Sequence, residues 1–283
     1  MLTNKKLIMI VIVSFLIALV GCDGEENNEN NPDENLPPDS LLEVSAINEG
    51  IIEELEGIYN QIEERREEEE LKLERMEQSR EVDLNKLNNE QENEENNQLP
   101  QEEEELVEEI EEGWDELESE VEALHQSWNE YESEVNLKPE QVERIETRLN
   151  QMTEEVADKL FLVALVSATQ FDLEVAKLYG RYDLEGEAEI KEAKASTRKI
   201  IFLNRLQIEE QKLREEQHIE LERLKDLYFE IDQSLEGEEE NKELKKLEEA
   251  IEDLETAIKM SEDDEVIEVK GELILTRLEE LEG

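Results

Sequence analysis

Eight apolar residues recur at alternating steps of four and three positions in the middle of the chain. They are Ile110, Trp114, Leu117, Val121, Leu124, Trp128, Tyr131 and Val135. This spacing averages 3.5 residues over more than three heptads, which is typical of a helix that packs knobs-into-holes against other helices. The seam therefore predicts a long amphipathic helix within an all-helical fold.

The placement of proline and glycine favours helices along most of the chain. The five prolines are Pro32, Pro37, Pro38, Pro100 and Pro139, and ten glycines occur among 283 residues. Glu, Leu, Ile and Lys fill the long intervals between these residues and are compatible with helices. Charged residues at 40% and aromatic residues at 4% are also typical of disordered chains. Because the apolar residues keep a helical period, we expect a folded all-α chain.

Apolar periodicity and polar interruptions divide the chain into segments. The predicted segments are a first long helix at 45–90, a polar connector at 91–100, an antiparallel helical core at 101–236 and a C-terminal helical hairpin at 237–283. Within the core, we expect one helix to continue from Pro139 to about Gly180 and the next from about Glu187 to about Ser234. The predicted fold is an elongated antiparallel helical bundle or coiled coil with about five to six helices.

Residues 160–168 form the most apolar part of the predicted core. They carry no charge, and nine residues are too few to span a bilayer as a helix. A hairpin folded about Asp183 places residue 165 opposite residue 201, so this segment is expected to face the apolar residues 200–203. One interpretation is a solid core. The alternative is an apolar pocket near 160–168 and 200–206 that binds a lipid or another hydrophobic ligand.

The chain is strongly acidic, with a formal net charge of -54. Such a field repels nucleic acids, so we expect no nucleic-acid binding. One basic interval, from Glu189 to Arg205, contains Lys191, Lys194, Arg198, Lys199 and Arg205. We expect these cations to pair with neighbouring glutamates; docking of an anionic wall polymer is the alternative.

Residue patterns of catalysis and metal binding are missing from the sequence. His125 and His218 fall on different predicted helices without metal-ligand spacing. The Glu runs are expected to be solvated faces, because consecutive helical residues point in different directions. Trp114 and Trp128 could form a sugar-stacking platform, but their seam positions favour the core. We therefore expect no catalytic residues, no metal site, no cofactor and no enzymatic activity.

The N-terminal residues have the organisation of an export signal. Lys5 and Lys6 precede an apolar run, Leu7–Val20, which is too short to span a hydrocarbon core of roughly 30 Å. We expect residues 1–21 to be a signal peptide. Residues 22–44, which begin with the single cysteine and are rich in Asn, Glu and Pro, are expected to be a disordered tether. One cysteine cannot form an intrachain disulfide.

Leu19-Val20-Gly21-Cys22 resembles the lipobox of bacterial lipoproteins. With the polar tether and the Glu/Lys/Leu-rich helices, the chain resembles the cell-wall-binding helical lipoproteins of Bacillus-type Gram-positive bacteria. The lipobox resemblance implies a diacylglyceryl group on Cys22 and anchoring at the outer face of the cytoplasmic membrane. The wider resemblance implies a peptidoglycan-associated role. We therefore expect a non-enzymatic spacer, cell-wall-associated scaffold or docking partner for a basic envelope protein, with the oligomeric state left open.

Overall fold

The computed structural model describes residues 36–83, 99–182, 184, 186–206, 211–235, 240–260 and 264–282. Within these ranges the chain forms eight helices and no strand. They are α1 (Asp39–Asp83), α2 (Leu99–Glu134), α3 (Pro139–Ala157), α4 (Phe161–Tyr179), α5 (Glu187–Arg205), α6 (Gln211–Ser234), α7 (Glu240–Met260) and α8 (Asp264–Glu282). The predicted all-α class is confirmed.

The predicted count of five to six helices is wrong, and one reason is a break between α3 and α4. Lys159 adopts a left-handed conformation with φ of 55°. The Lys159 N–H donates to the carbonyl of Val156, and the Leu160 N–H donates to the carbonyl of Glu155, each at 2.9 Å. These two bonds are those of a Schellman motif, in which glycine is the usual left-handed residue. A lysine at this position left no sequence signal for the break.

The second break separates α5 from α6. The predicted helix from about Glu187 to about Ser234 ends at Arg205 and resumes at Gln211. The Leu206 N–H still donates to the carbonyl of Phe202 at 3.1 Å, and residues 207–210 lie outside the described ranges. Residues 206–210 contain neither proline nor glycine, so the pattern alone predicted a continuous helix.

The helices pack in two groups of four, each with its own apolar core. In the first group α1 contacts α2 and α4, and α3 also contacts both; in the second, α5 contacts α6 and α8, and α7 also contacts both. The heptad seam of α2 contributes Trp114, Leu117, Val121, Leu124, Trp128 and Tyr131 to the first core. The second core is built mainly from α6, α7 and α8. Within each group the helices pack by burying apolar residues against their neighbours.

The contact between α4 and α5 joins the two groups. Leu165 and Ile201, which the sequence placed opposite each other, both lie in the first core and are almost completely buried. The adjacent Ile200 belongs to the second core. Because successive helical residues point in different directions, α5 is apolar on two sides and contributes to both cores.

Helix α1 begins earlier than the sequence suggested. It starts at Asp39, directly after Pro37 and Pro38, so residues 39–44 of the predicted tether are helical. Leu41 and Val44 are fully buried in the first core, which explains why the helix extends this far. The signal peptide and residues 22–35 of the predicted tether, including Cys22, lie outside the described residues. Residues 84–90 of the predicted first helix and the connector apart from Leu99 and Pro100 also lie outside them.

Candidate functional site

A charged groove lies above one face of α5, between α1 on one side and α8 on the other. We call it the α5 groove. It has two adjoining compartments of about 330 and 260 Å³, which share Glu49, Lys194, Arg198 and Glu279 as lining residues. The larger compartment also includes Asp172 and Tyr179. These volumes lie at the lower limit of small-molecule pockets, which hold roughly 300–1,000 Å³.

Three cations of the basic interval, Lys191, Lys194 and Arg198, line the floor of this groove, and Arg205 continues their row along α5. Lys191, Lys194, Arg198 and Arg205 follow each other at steps of three, four and seven residues, a spacing that places them on one face of a helix. Lys199 lies off this face and points toward α6, where it contacts Glu216 at 2.9 Å and Glu220 at 2.8 Å. The floor is therefore cationic because helical spacing places these basic residues on the same face of α5.

Arg198 is held by two carboxylates of different helices. Its guanidinium donates two hydrogen bonds to Glu49 of α1, one of them at 2.6 Å. The same guanidinium lies 3.9 Å from the Asp172 carboxylate of α4. Burial opposes the charged form, but the hydrogen bonds and charge of Glu49 outweigh it and raise the pKa of Arg198. Two-bond guanidinium–carboxylate pairs are among the stronger polar contacts in proteins.

Arg205 is the least exposed cation of this row on α5. Its side chain is only 5% exposed, pairs with Glu56 of α1 at 3.0 Å and also pairs with Glu268 of α8. The guanidinium lies 4.7 Å from the ring centroid of Tyr59, a cation–π geometry. One cation thus joins α1 and α8, which flank the groove.

The remaining cations of the interval also have acidic partners. Lys194 contacts Glu282 at 2.6 Å and Lys191 contacts Glu187 at 3.6 Å. Lys191 additionally lies 4.7 Å from the ring centroid of Tyr179. The prediction of intramolecular pairing is therefore confirmed for all five basic residues, and none of these cations lacks an acidic partner.

Among the acidic groups that line the groove, Asp172 has the most clearly shifted pKa. Its side chain is 18% exposed, and no donor among the described residues lies within hydrogen-bonding distance of its carboxylate. Burial raises the pKa of Asp172 to about 6; the charge of Arg198 lowers it and that of Glu49 raises it. This carboxylate changes charge near neutral pH. No sequence signal singled it out, since Asp172 is one of 83 acidic residues.

The two histidines lie on different helices, as predicted. His125 lies on α2, is half-buried and has its Nε2 2.9 Å from the Thr153 hydroxyl. Burial lowers the pKa of His125, so the neutral ring is favoured. His218 lies exposed on α6. Within the described part of the chain, no three His, Cys, Asp or Glu side chains are placed to hold a metal ion.

The tryptophans and the apolar segment belong to the core. Trp114 and Trp128 are 4% and 1% exposed, so the core interpretation is confirmed over a sugar-stacking platform. Residues 164–169 of α4 are buried. The groove compartment beside Ile201 and Phe202 is lined mainly by charged side chains, and no residue of 160–168 lines it.

A second concave site, which the sequence did not predict, lies between α6 and α7. We call it the Phe229 pocket; it has a volume of about 150 Å³. Its lining residues are Lys225, Tyr228, Phe229, Glu248, Ile251, Glu252 and Glu255. Phe229 is 58% exposed. Its position just outside the apolar series Leu224, Tyr228 and Ile231 was the available sequence signal.

Comparisons with known proteins add no assignment. No family model matches the chain, and no curated protein or solved structure matches it either. None of the helices in the described ranges combines the length and apolar character that a membrane span requires. The features that bear on function are the α5 groove, the Phe229 pocket and the distribution of charge.

Proposed function

We propose that this chain is a non-enzymatic lipoprotein, anchored through Cys22 at the outer face of the cytoplasmic membrane, that docks a basic envelope protein. Its helices would form an elongated antiparallel bundle that acts as the scaffold, and the residues after Cys22 would be the spacer. Association with a cell-wall component is the related role that the sequence resemblance implies. The lipid supplies the membrane affinity that an acidic body lacks.

The observation that carries this proposal is the neutralisation of the α5 cations inside the protein. Lys194, Arg198, Lys199 and Arg205 each contact a carboxylate, and Lys191 does so more loosely. The chain as a whole has a net charge of -54. Acidic side chains that make no such ion pair therefore dominate the charge that a docking protein meets. Charge complementarity favours a basic partner and accelerates the encounter with it.

The alternative, an apolar ligand pocket near 160–168 and 200–206, has less support. Leu165 and Ile201 are packed in the same core. The compartment that includes Ile201 and Phe202 presents carboxylates and two cations, whereas pockets for hydrophobic ligands are mostly apolar.

The membrane anchor is tested with the Cys22→Ala variant expressed in a Gram-positive host. We expect the native chain in the membrane fraction and the variant in the wall or medium fraction, because no acyl chains would hold it. Both proteins are expressed without an amino-terminal tag, so that the signal stays intact, and are detected by antibody. Membrane retention of the processed variant would contradict the anchor.

Docking is tested with the detergent-solubilised native chain and immobilised poly-lysine, poly-glutamate or purified peptidoglycan. We expect retention on poly-lysine at about 0.05 M salt and release at about 1 M salt, where the Debye length falls to about 3 Å. Poly-glutamate is the matched control and should retain nothing. Equal retention on both polymers would contradict a charge-directed docking role, and salt-resistant retention on peptidoglycan alone would favour the wall-binding role instead.

A further inference from the structure

An aromatic pair forms the floor of the Phe229 pocket on α6. The rings of Tyr228 and Phe229 meet edge-to-face with centroids 5.5 Å apart. Tyr228 packs against the second core, whereas Phe229 is mostly exposed. Burial raises the pKa of Tyr228, as do the charges of Glu248 and Asp232 and the hydrogen bond that the Tyr228 hydroxyl donates to Glu248, so this hydroxyl stays neutral. The pocket therefore presents an accessible aromatic face on an acidic protein.

The one cation of the pocket is already neutralised. Lys225 pairs with Glu222 at 3.0 Å and also with Glu255. Glu255 additionally binds Lys259 at 2.6 Å. These pairs use Glu255 within the protein and leave Lys225 unable to attract an anion into the pocket.

Two other carboxylates of the pocket are available. Glu248 and Glu252 are exposed on α7, four residues apart, which places them on the same helix face as lining residues. Within the described ranges neither side chain pairs with a lysine or arginine. Glu248 accepts a hydrogen bond from the Tyr228 hydroxyl, and a carboxylate has further acceptor positions for a second donor. The pocket thus combines two carboxylates that have no cationic partner with an exposed ring.

The size of the pocket selects the kind of occupant. Its 150 Å³ is below the roughly 300–1,000 Å³ of small-molecule pockets. A single side chain from another protein fits this scale better than a whole metabolite. Its charge must be positive, because the free groups of the pocket are carboxylates and a ring face.

We propose that the Phe229 pocket receives an arginine side chain of a basic partner protein. This inference rests on the proposed docking function and names its contact site. Arginine suits the pocket better than lysine because its planar guanidinium stacks on a ring while its edge donates hydrogen bonds to carboxylates. The guanidinium lies on Phe229 and donates to Glu248 and Glu252.

The test measures binding of a fluorescein-labelled peptide with three arginines separated by glycines, and of its lysine counterpart. Fluorescence anisotropy with the full chain at about 0.15 M salt limits long-range attraction, since the Debye length is then about 8 Å. We expect the arginine peptide to bind more tightly than the lysine peptide. Equal affinity of the two peptides would overturn the choice of arginine.

Substitutions at Phe229 separate ring stacking from apolar contact. We expect Phe229→Ala and Phe229→Leu each to weaken arginine-peptide binding about two- to fivefold, and Phe229→Tyr to retain it, because the ring face supplies the attraction. Ile219→Ala is the matched control, since Ile219 is also exposed on α6, 65% accessible but outside the pocket lining. An equal effect of Phe229→Ala and Ile219→Ala would overturn the proposal.

A charge-matched pair of double variants tests the carboxylates. Glu248→Gln/Glu252→Gln is compared with Glu118→Gln/Glu122→Gln on α2, where both residues are exposed and also four apart. We expect the α7 pair to weaken binding about threefold more than the α2 pair. Equal weakening would show diffuse attraction, which overturns the pocket but leaves the docking function intact. Failure of the native chain to bind either peptide would contradict the docking function itself.

Discussion

The Asp172 carboxylate lies 3.9 Å from the Arg198 guanidinium, which donates its two hydrogen bonds to Glu49 instead. Asp172 therefore gains charge attraction from Arg198 but no hydrogen bond from it. Burial outweighs that attraction and raises the pKa of Asp172 to about 6. Glu49, Lys191 and Lys194 are the other charged groups that influence it.

The first prediction concerns the pH dependence of stability. The folded state holds the Asp172 proton more tightly than the unfolded state, whose pKa is near 3.8. The contribution of Asp172 is therefore most favourable below about pH 4 and is lost as the pH rises to about 6, by roughly 2–3 kcal/mol. Asp172→Asn, which mimics the protonated form, should lack this loss. Urea denaturation at pH values between 4 and 8 measures it.

The comparison uses the difference in the free energy of unfolding between the native chain and Asp172→Asn. This difference cancels the titration of the other acidic residues that both proteins share. A difference that stays constant between pH 4 and pH 7 would show that the Asp172 pKa is not raised.

The second prediction concerns the close approach of α8 to α5 at Gly271. A Cβ atom added there would lie 2.5 Å from Cγ1 and 2.7 Å from Cδ1 of Ile201, which is buried. Gly271→Ala should therefore destabilise the protein by about 1–2 kcal/mol, because overpacking exceeds the helix-propensity gain of alanine. Gly57→Ala is the control, since a Cβ at Gly57 meets nothing within 4 Å; it should stabilise α1 by up to about 1 kcal/mol.

Chemical denaturation followed by circular dichroism compares these two variants directly. Gly271→Ala should lower the free energy of unfolding and Gly57→Ala should raise it. Stabilisation by both substitutions would mean that Ile201 adjusts without cost and that α8 does not depend on glycine at this point.

The third prediction concerns Arg205 as the link between α1 and α8. Arg205→Met leaves Glu56 and Glu268 without their cation and removes the contact with Tyr59. We expect a loss of about 2 kcal/mol, less than for fully buried pairs because both glutamates are partly exposed. Arg205→Lys should recover part of this loss, since it keeps the charge but not the planar group.

Arg144→Ala provides the exposed counterpart for Arg205. Arg144 pairs with Glu174 at 3.0 Å but is 54% exposed, and exposed pairs contribute about 0–1 kcal/mol. The shift in the urea midpoint should be smaller than that of Arg205→Met. A larger shift for Arg144→Ala would show that enclosure by α1 and α8 adds nothing.

The fourth prediction concerns the left-handed Lys159 between α3 and α4. Glycine adopts this conformation without the steric cost of a Cβ. Lys159→Gly should therefore be more stable than Lys159→Ala by about 1 kcal/mol. Both variants lose the pair with Glu111 at 2.5 Å, so their difference in thermal or urea stability isolates the backbone. Equal stability would contradict the left-handed assignment.

The heptad seam shows how much of this fold was readable from the sequence. Trp114 through Tyr131 lie in the first core because a 3.5-residue period puts them on one stripe of α2. The helix ends before 158–160 and after Arg205 were not readable, since neither 158–160 nor 206–210 contains proline or glycine. At the first of these, three-dimensional packing accepts a left-handed lysine that local propensity disfavours.

By itself, the sequence determined the all-α class, the acidic charge and the intramolecular pairing of the basic interval, because these depend on periodicity and on the excess of Glu over Lys and Arg. Tertiary structure alone decided the division into two cores, the burial of Asp172 and the position of Phe229 beside Glu248 and Glu252. Those features bring together residues from different helices. Their proximity depends on how helices pack, and a pattern within one helix carries no information about it.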